Sequence, residues 1–359
     1  MPTPPESIEL YCRAASEYKA SDLILHEGEP PLVRIAGSMT TMDAPSLSLA
    51  DLKAFRAFCG VPESSTDCDT SFVSAEGIRF RVNFHRQLGA EAAVLRRIST
   101  QLPELDKLGV PAELMKQWAV RSSGLVIVSG PTGSGKSTTL AALLDWINQH
   151  HERHVITIED PVEYVFKRKM ALFTQREVGQ DTASFAEGLR RSLRQSPDII
   201  LVGEIRDSET ASVVLQAAET GHLVFTTLHA SDTSEVMERL TALFPKQERS
   251  GQLQILAAQV LGILCQRLLP SSQPTGGMVL ACEYLTNIGF TRRCILSEDL
   301  PALREYMTTS DSSESCDFLR AYTRLVKEGA LSEEAALLSV TNPSELRRRL
   351  RGIGSTATA

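Results

Sequence analysis

The chain has 359 residues, 42% of them hydrophobic and 23% charged, which is globular composition on a length that favours two domains over one. No run approaches the ~18 consecutive apolar residues of a membrane span, and the start, MPTPPESIELYCRA, shows neither a basic leader nor an apolar core, so a cytoplasmic protein is expected. A net charge of −7 argues against a nucleic-acid-tracking surface, and the seven scattered cysteines, with no C-x-x-C pair, read as reduced structural thiols rather than as a zinc site.

In chain order, residues 8–19 have helical character, and DLILHEGEPPLVRIAG places two apolar runs around a Gly/Pro turn, the pattern of a β-hairpin. A second helix is expected over 49–59. SFVSAEG, IRFRVNFHRQ and AAVLRRI then show near alternation broken by Glu76-Gly77 and Leu88-Gly89, as antiparallel strands do. Residues 1–98 therefore read as a small α+β domain. STQLPELDKLGVP, with two prolines and little periodicity, makes 99–110 a connector.

From Pro111 a helix is followed by four short apolar runs, GLVIVSG, HVITIED, DIILVGE and HLVFTTLHA, alternating with helical stretches. Such runs mark strands buried on both faces, hence an α/β core with a mainly parallel sheet and chemistry at its C-terminal edge. MVLACEYL adds one more candidate strand. The core is expected over 111–290, and residues 291–359 as a small C-terminal helical region interrupted by the polar run TTSDSSES.

Gly130-Pro131-Thr132-Gly133-Ser134-Gly135-Lys136-Ser137-Thr138 follows the strand LVIVS and opens a helix, the context that distinguishes a P-loop from a chance match. Its glycines let backbone N–H groups curl around phosphate oxygens, and Lys136 brings a full charge to the β/γ-phosphates of ATP. The Ser137 hydroxyl, on the first helical turn, suits Mg2+. Ile199 to Glu204 is an apolar strand ending in an acid, which either serves Mg2+ or the attacking water, or merely caps the next turn. Glu159, Asp160 and Glu163 crowd three carboxylates after another strand; a cation would relieve their repulsion, and so would simple solvation. His222 and His229 bracket the HLVFTTLHA strand, where a γ-phosphate role competes with a structural one.

These four motifs, the P-loop, ITIEDPVEY, SPDIILVGEIRD and TGHLVFTTLHA, in this order resemble the secretion ATPase superfamily. Within it the chain looks most like the PilT-type type IV pilus retraction ATPases, because the likeness extends through SDLILHEGEPPLVRIAG, RFRVNFHRQ and QREVG over about residues 7–290. The four-cysteine insert and longer N-terminal region of pilus-assembly and type II secretion ATPases are absent. The resemblance implies a PAS-like N-terminal domain, a RecA-like core and a ring of six subunits. It also implies ATP bound between the domains, and docking through an inner-membrane platform protein of the pilus machinery at the inner face of the cytoplasmic membrane. By motif position it makes Glu204 the catalytic acid, with Glu163 as second candidate for the base. His229 joins them as a catalytic residue, Glu159, Asp160 and His222 become nucleotide-site residues, and Arg81 and Arg96 approach the nucleotide. Two features depart from the family. Thr226 and Ala230 stand where glycine and threonine are usual, and GFTRRCILSEDLPALREYM replaces the AIRNLIRE-like helix tied to retraction. An accessory or assembly ATPase, and a nucleotide-sensing scaffold, are the competing expectations.

Overall fold

The computed structural model describes residues 4–35, 37–98, 102–274, 276–310, 312–340 and 342–352; positions 99–101 of the expected connector and 353–359 of the tail lie outside the described residues. The chain forms two compact units, Met1–Gln101 with Pro161–Val165, and Leu102–Asp160 with Phe166–Ala359.

The first unit runs α1 (Glu6–Glu17), β1 (Asp22–His26), β2 (Leu32–Ile35), β3 (Ser38–Thr41), α2 (Leu49–Phe58), β4 (Asp67–Val73), β5 (Arg79–Gln87) and β6 (Ala90–Arg97). Its strands form one antiparallel sheet in the order β3-β2-β1-β6-β5-β4. Ile8, Tyr11, Cys12 and Ala15 recur at helical spacing on α1 and pack, with Leu52 and Phe55 of α2, on the strand residues Leu23, Leu25, Phe80, Val82, Phe84 and Leu95. Ser48 and Asp51 close a capping box at the start of α2. This is the α+β domain expected from the sequence, with one strand more. All four residues of β3 are exposed, so its sequence SMTT carries no apolar alternation to announce it.

The second unit opens with a single 3-10 turn, Leu105–Lys107, then α3 (Ala112–Ala119), β7 (Gly124–Ser129), α4 (Lys136–His150), β8 (His154–Glu159), β9 (Leu172–Glu177), α5 (Phe185–Ser192), β10 (Ile199–Val202), α6 (Ser208–Glu219) and β11 (Leu223–Leu228). It continues through α7 (Thr233–Leu243), α8 (Arg249–Gln259), β12 (Val260–Pro270), β13 (Met278–Thr286), α9 (Gly289–Ser297), α10 (Leu300–Thr309), β14 (Ser315–Cys316), α11 (Phe318–Lys327), α12 (Glu333–Ser339) and α13 (Pro343–Leu350). The sheet order is β14-β13-β12-β7-β11-β10-β8-β9, parallel from β12 to β9, with β13 and β14 joined antiparallel. Every residue of β7, β10 and β11 is buried, as their continuous apolar runs require.

Three strands of this sheet were not foreseen. β14 begins at Ser315, the last residue of the polar run TTSDSSES where a loop was expected, yet Ser315 is buried. β9 has no fully apolar face, and β12 follows α8 with no glycine or proline between them, the chain passing into extended backbone at Val260. Gly262 then lets β12 close on α3, since a Cβ there would lie 2.2 Å from the Trp118 indole. The C-terminal helices bury Cys294, Ile295, Leu303, Met307, Phe318 and Tyr322 in the same apolar core as Val214, Leu253 and Cys265, so they share the hydrophobic interior of the sheet.

Candidate active site

The parallel register aligns the ends of the central strands: Leu223 pairs with Gly124 and Leu228 with Ser129, so β7 and β11 finish side by side. The phosphate-type loop leaves β7 at Gly130 and enters α4 at Lys136. Left-handed backbone at Gly133 and Gly135, with φ of 78° and 91°, turns the loop back onto the helix axis, where a side chain would be strained. Gly130 is closed to any Cβ for a second reason: the atom would sit 2.4 Å from the Gln266 carbonyl and 2.5 Å from the Ser134 hydroxyl. Pro131, Thr132 and Gly133 form an exposed crest, Ser137 and Thr138 are half-buried, and no acid occupies the first turn of α4 to offset its positive pole. Buried Lys136 donates to the Gly130 and Pro131 carbonyls at 2.8 and 3.0 Å, folded into the loop it opens.

Glu204 lies just past β10. Its carboxylate is largely buried, pairs with Arg206, and lies 3.5 Å from His229 Nε2. Arg206 also reaches Asp160 at 3.1 Å, so one guanidinium bridges the acids that follow β8 and β10. Glu159 accepts a short bond from the Thr157 hydroxyl at 2.6 Å and a longer one from Gln175. Partial burial and the positive charge of Lys136 hold His229 below the usual imidazole range, against the opposing pull of Glu204, so a neutral imidazole faces this edge near neutral pH. Ser129 fixes its approach. The Ser129 hydroxyl lies 3.1 and 2.9 Å from the carbonyls of Leu228 and Ala230 and accepts the Ala230 N–H at 3.0 Å, gripping the residues on either side of His229.

His222 does not join this cluster. It sits at the opposite end of β11, its Nδ1 3.1 Å from the Ala217 carbonyl, about 20 Å from the phosphate loop at the ~3.3 Å rise of a strand. The three acids are divided between the two units. Glu159 and Asp160 belong to the second unit, whereas Glu163 lies in Pro161–Val165, which packs as part of the first. There a cavity of about 270 Å³ is lined by Arg81, Arg96, Arg97, Glu163 and Tyr164. Arg81 and Arg96 stand directly opposite on β5 and β6, a like-charge pairing relieved by Asp22, 2.8 Å from Arg96, and Asp69, 3.6 Å from Arg81. Arg206 and Ser129 were missed in the sequence. Arg206 could have been found as the cation two residues beyond Glu204; nothing marks Ser129 but its place before Gly130.

The donor set fits a nucleoside triphosphate. A glycine cradle with no room for side chains at Gly130, a lysine inside it and an uncompensated helix pole are matched to polyphosphate, and Ser137 with Glu204 supplies the hard oxygens that Mg2+ takes. Among the described residues no helix is long and apolar enough to cross a membrane.

Comparison with known proteins gives the chain a family. Residues 69–339 match the family described as type II/IV secretion system protein. The chain is 37% identical to the type IV pilus retraction ATPase PilT of Pseudomonas aeruginosa, over 88% of this chain and 93% of that one. It is 34% identical to the type IV pilus ATPase PilU of the same organism, over 98% and 93%. A crystal structure of the pilus retraction motor PilT with bound ADP superposes with a TM-score of 0.85 at 39% identity, covering 95% of this chain and 99% of that one.

Proposed function

We propose, from the premise that this chain belongs to the type II/IV secretion ATPase family, that it is a pilus retraction motor that hydrolyses ATP and works as a ring of six subunits. One observation carries the reading: Lys136, Glu204 and His229 stand at the same C-terminal edge of the sheet, with Glu204 held between Arg206 and His229. Lys136 and the first turn of α4 bind the phosphates of ATP. Bound Mg2+, held by Ser137 and Glu204, would neutralise charge on the β/γ-phosphates. Glu204 orients the attacking water and takes up its proton, for which Arg206 must yield the carboxylate it grips; Glu163 is the second candidate for that base. Neutral His229 presents an N–H to the γ-phosphate and registers its loss. Arg81 and Arg96 supply positive charge to the nucleotide as phosphoryl transfer proceeds.

In the cell this motor sits at the inner face of the cytoplasmic membrane, docked on an inner-membrane platform protein of the pilus machinery, and needs no nucleic acid. Similarity to a PilT with bound ADP and to PilT of P. aeruginosa supports retraction. The PilU match, spanning 98% of the chain, favours one second reading, an accessory pilus ATPase. A deletion strain decides: retained or excess pili with lost surface movement support retraction. Absent pili would make the protein an extension ATPase, and intact movement with reduced force would make it accessory.

A further inference from the structure

The loop that follows His229 is fastened from several elements. Glu235 accepts the Ser231 N–H at 2.7 Å, Arg267 of β12 donates to the Ser231 carbonyl at 3.1 Å, and Glu283 of β13 accepts the Thr233 N–H, at the start of α7, at 2.7 Å. Two of these side chains continue into the C-terminal helices. The second carboxylate oxygen of Glu283 accepts the Phe318 N–H, which opens α11, at 3.2 Å. Arg267 donates to the Tyr322 hydroxyl and the Ser339 carbonyl, both at 3.2 Å, and lies 4.1 Å over the Phe318 ring. One buried carboxylate thus caps α7 and α11, and one guanidinium ties α11 and the end of α12 to the loop behind His229.

We infer that Glu283 and Arg267 are positioning residues for hydrolysis, setting the 229–233 loop and coupling it to helices α11 and α12. The inference rests on the reading of His229 as the γ-phosphate contact. A carboxylate has acceptors for both helix poles, whereas an amide at the same place has one oxygen and turns an NH2 against the other N–H. Motion of α11 that draws on Glu283 therefore draws on Thr233, and through the loop on His229. The charged and titratable groups around this carboxylate are Asp232 of the α7 cap, Cys265 and Arg267 of β12, Cys316 of β14, and Asp317 and Tyr322 of α11 and its cap. Burial pushes the two thiols and the phenol upward, away from neutrality, and raises Glu283 to about 7, so the double cap itself changes charge in the working range.

The test measures kcat and KM for ATP from pH 5.5 to 8.5 on the full chain, for wild type, E283Q, Y322F, H229A and the double variants E283Q/H229A and Y322F/H229A. In E283Q kcat should fall about 10-fold with KM changed less than about twofold, as for a misplaced group that touches no substrate. The rise of wild-type kcat between pH 6 and 8 should flatten in the same variant. Y322F, which deletes a single bond to Arg267, should lower kcat in the same direction. Each double variant should be no slower than H229A alone, because residues acting through one another are not additive. If E283Q fails to fold, the Tyr322 cycle carries the test. Slowing of H229A by the same factor as wild type would overturn the inference and make the junction merely structural. Absence of turnover in the wild type would overturn the ATPase reading itself.

Discussion

Replacing Glu283 by glutamine should make the ATPase unit more stable at alkaline pH, although it removes a buried hydrogen-bonded carboxylate. Burial raises this group from 4.5 to about 7, which corresponds to about 3 kcal/mol. The sign follows from proton counting. Between pH 4.5 and 7 the folded chain holds a proton that the unfolded chain has released, so stability is fully present below 4.5 and is lost as pH rises through 7. Glutamine cannot titrate. The variant should therefore match wild type near pH 5, where both present one acceptor oxygen, and exceed it by about 3 kcal/mol at pH 8. Urea unfolding followed by tryptophan fluorescence reads the right part of the molecule, because Trp118 and Trp146 both lie in the second unit. Protein concentration must be held fixed, since assembly adds to apparent stability. His229, depressed below 6.5, loses its own contribution as pH falls, but it does so in both proteins and cancels in the difference. Parallel curves for the two proteins would mean that Glu283 titrates alike in the folded and unfolded chain. Divergence would show a charge retained against stability, as working sites often do.

Lys136→Ala should lose turnover and most ATP affinity, read by nucleotide titration and phosphate release, because its ammonium sits inside the phosphate loop. Glu204→Gln should bind ATP as wild type while turnover falls by orders of magnitude; equal loss of binding would make the residue structural. Arg96→Ala should cost up to ~10³-fold in steady-state turnover, the range of arginine fingers. Its thermal midpoint should hardly move, since the side chain is mostly exposed and Arg34 still lies 3.5 Å from Asp22.

The parts of the site written in consecutive residues were legible. Gly130 to Thr138 declares its own turn, charge and helix start, and the acids at 159, 160 and 204 follow apolar runs that could only be buried strands. What stayed hidden is what the topology assembles. β12 carries no turn signal at its start, so the strand bringing Arg267 beside Ser231 was not anticipated, and Glu283 meets Thr233 and Phe318 only because β13 runs between them. His222 shows the opposite case. Motif membership groups it with His229, but the two stand at opposite ends of a six-residue extended strand, about 20 Å apart at ~3.3 Å per residue. The acidic turn hid a division too, since adjacency in sequence says nothing of Glu163 packing with the first unit.

The Ser129 hydroxyl has a bearing on how this site can evolve. Because one atom closes the strand that enters the phosphate loop and also grips the residues around His229, a change at position 129 is felt in nucleotide affinity and in turnover together. Alanine there would leave the Ala230 N–H without its hydroxyl partner in a buried place. Selection for faster or tighter variants must therefore work around this hydroxyl rather than through it.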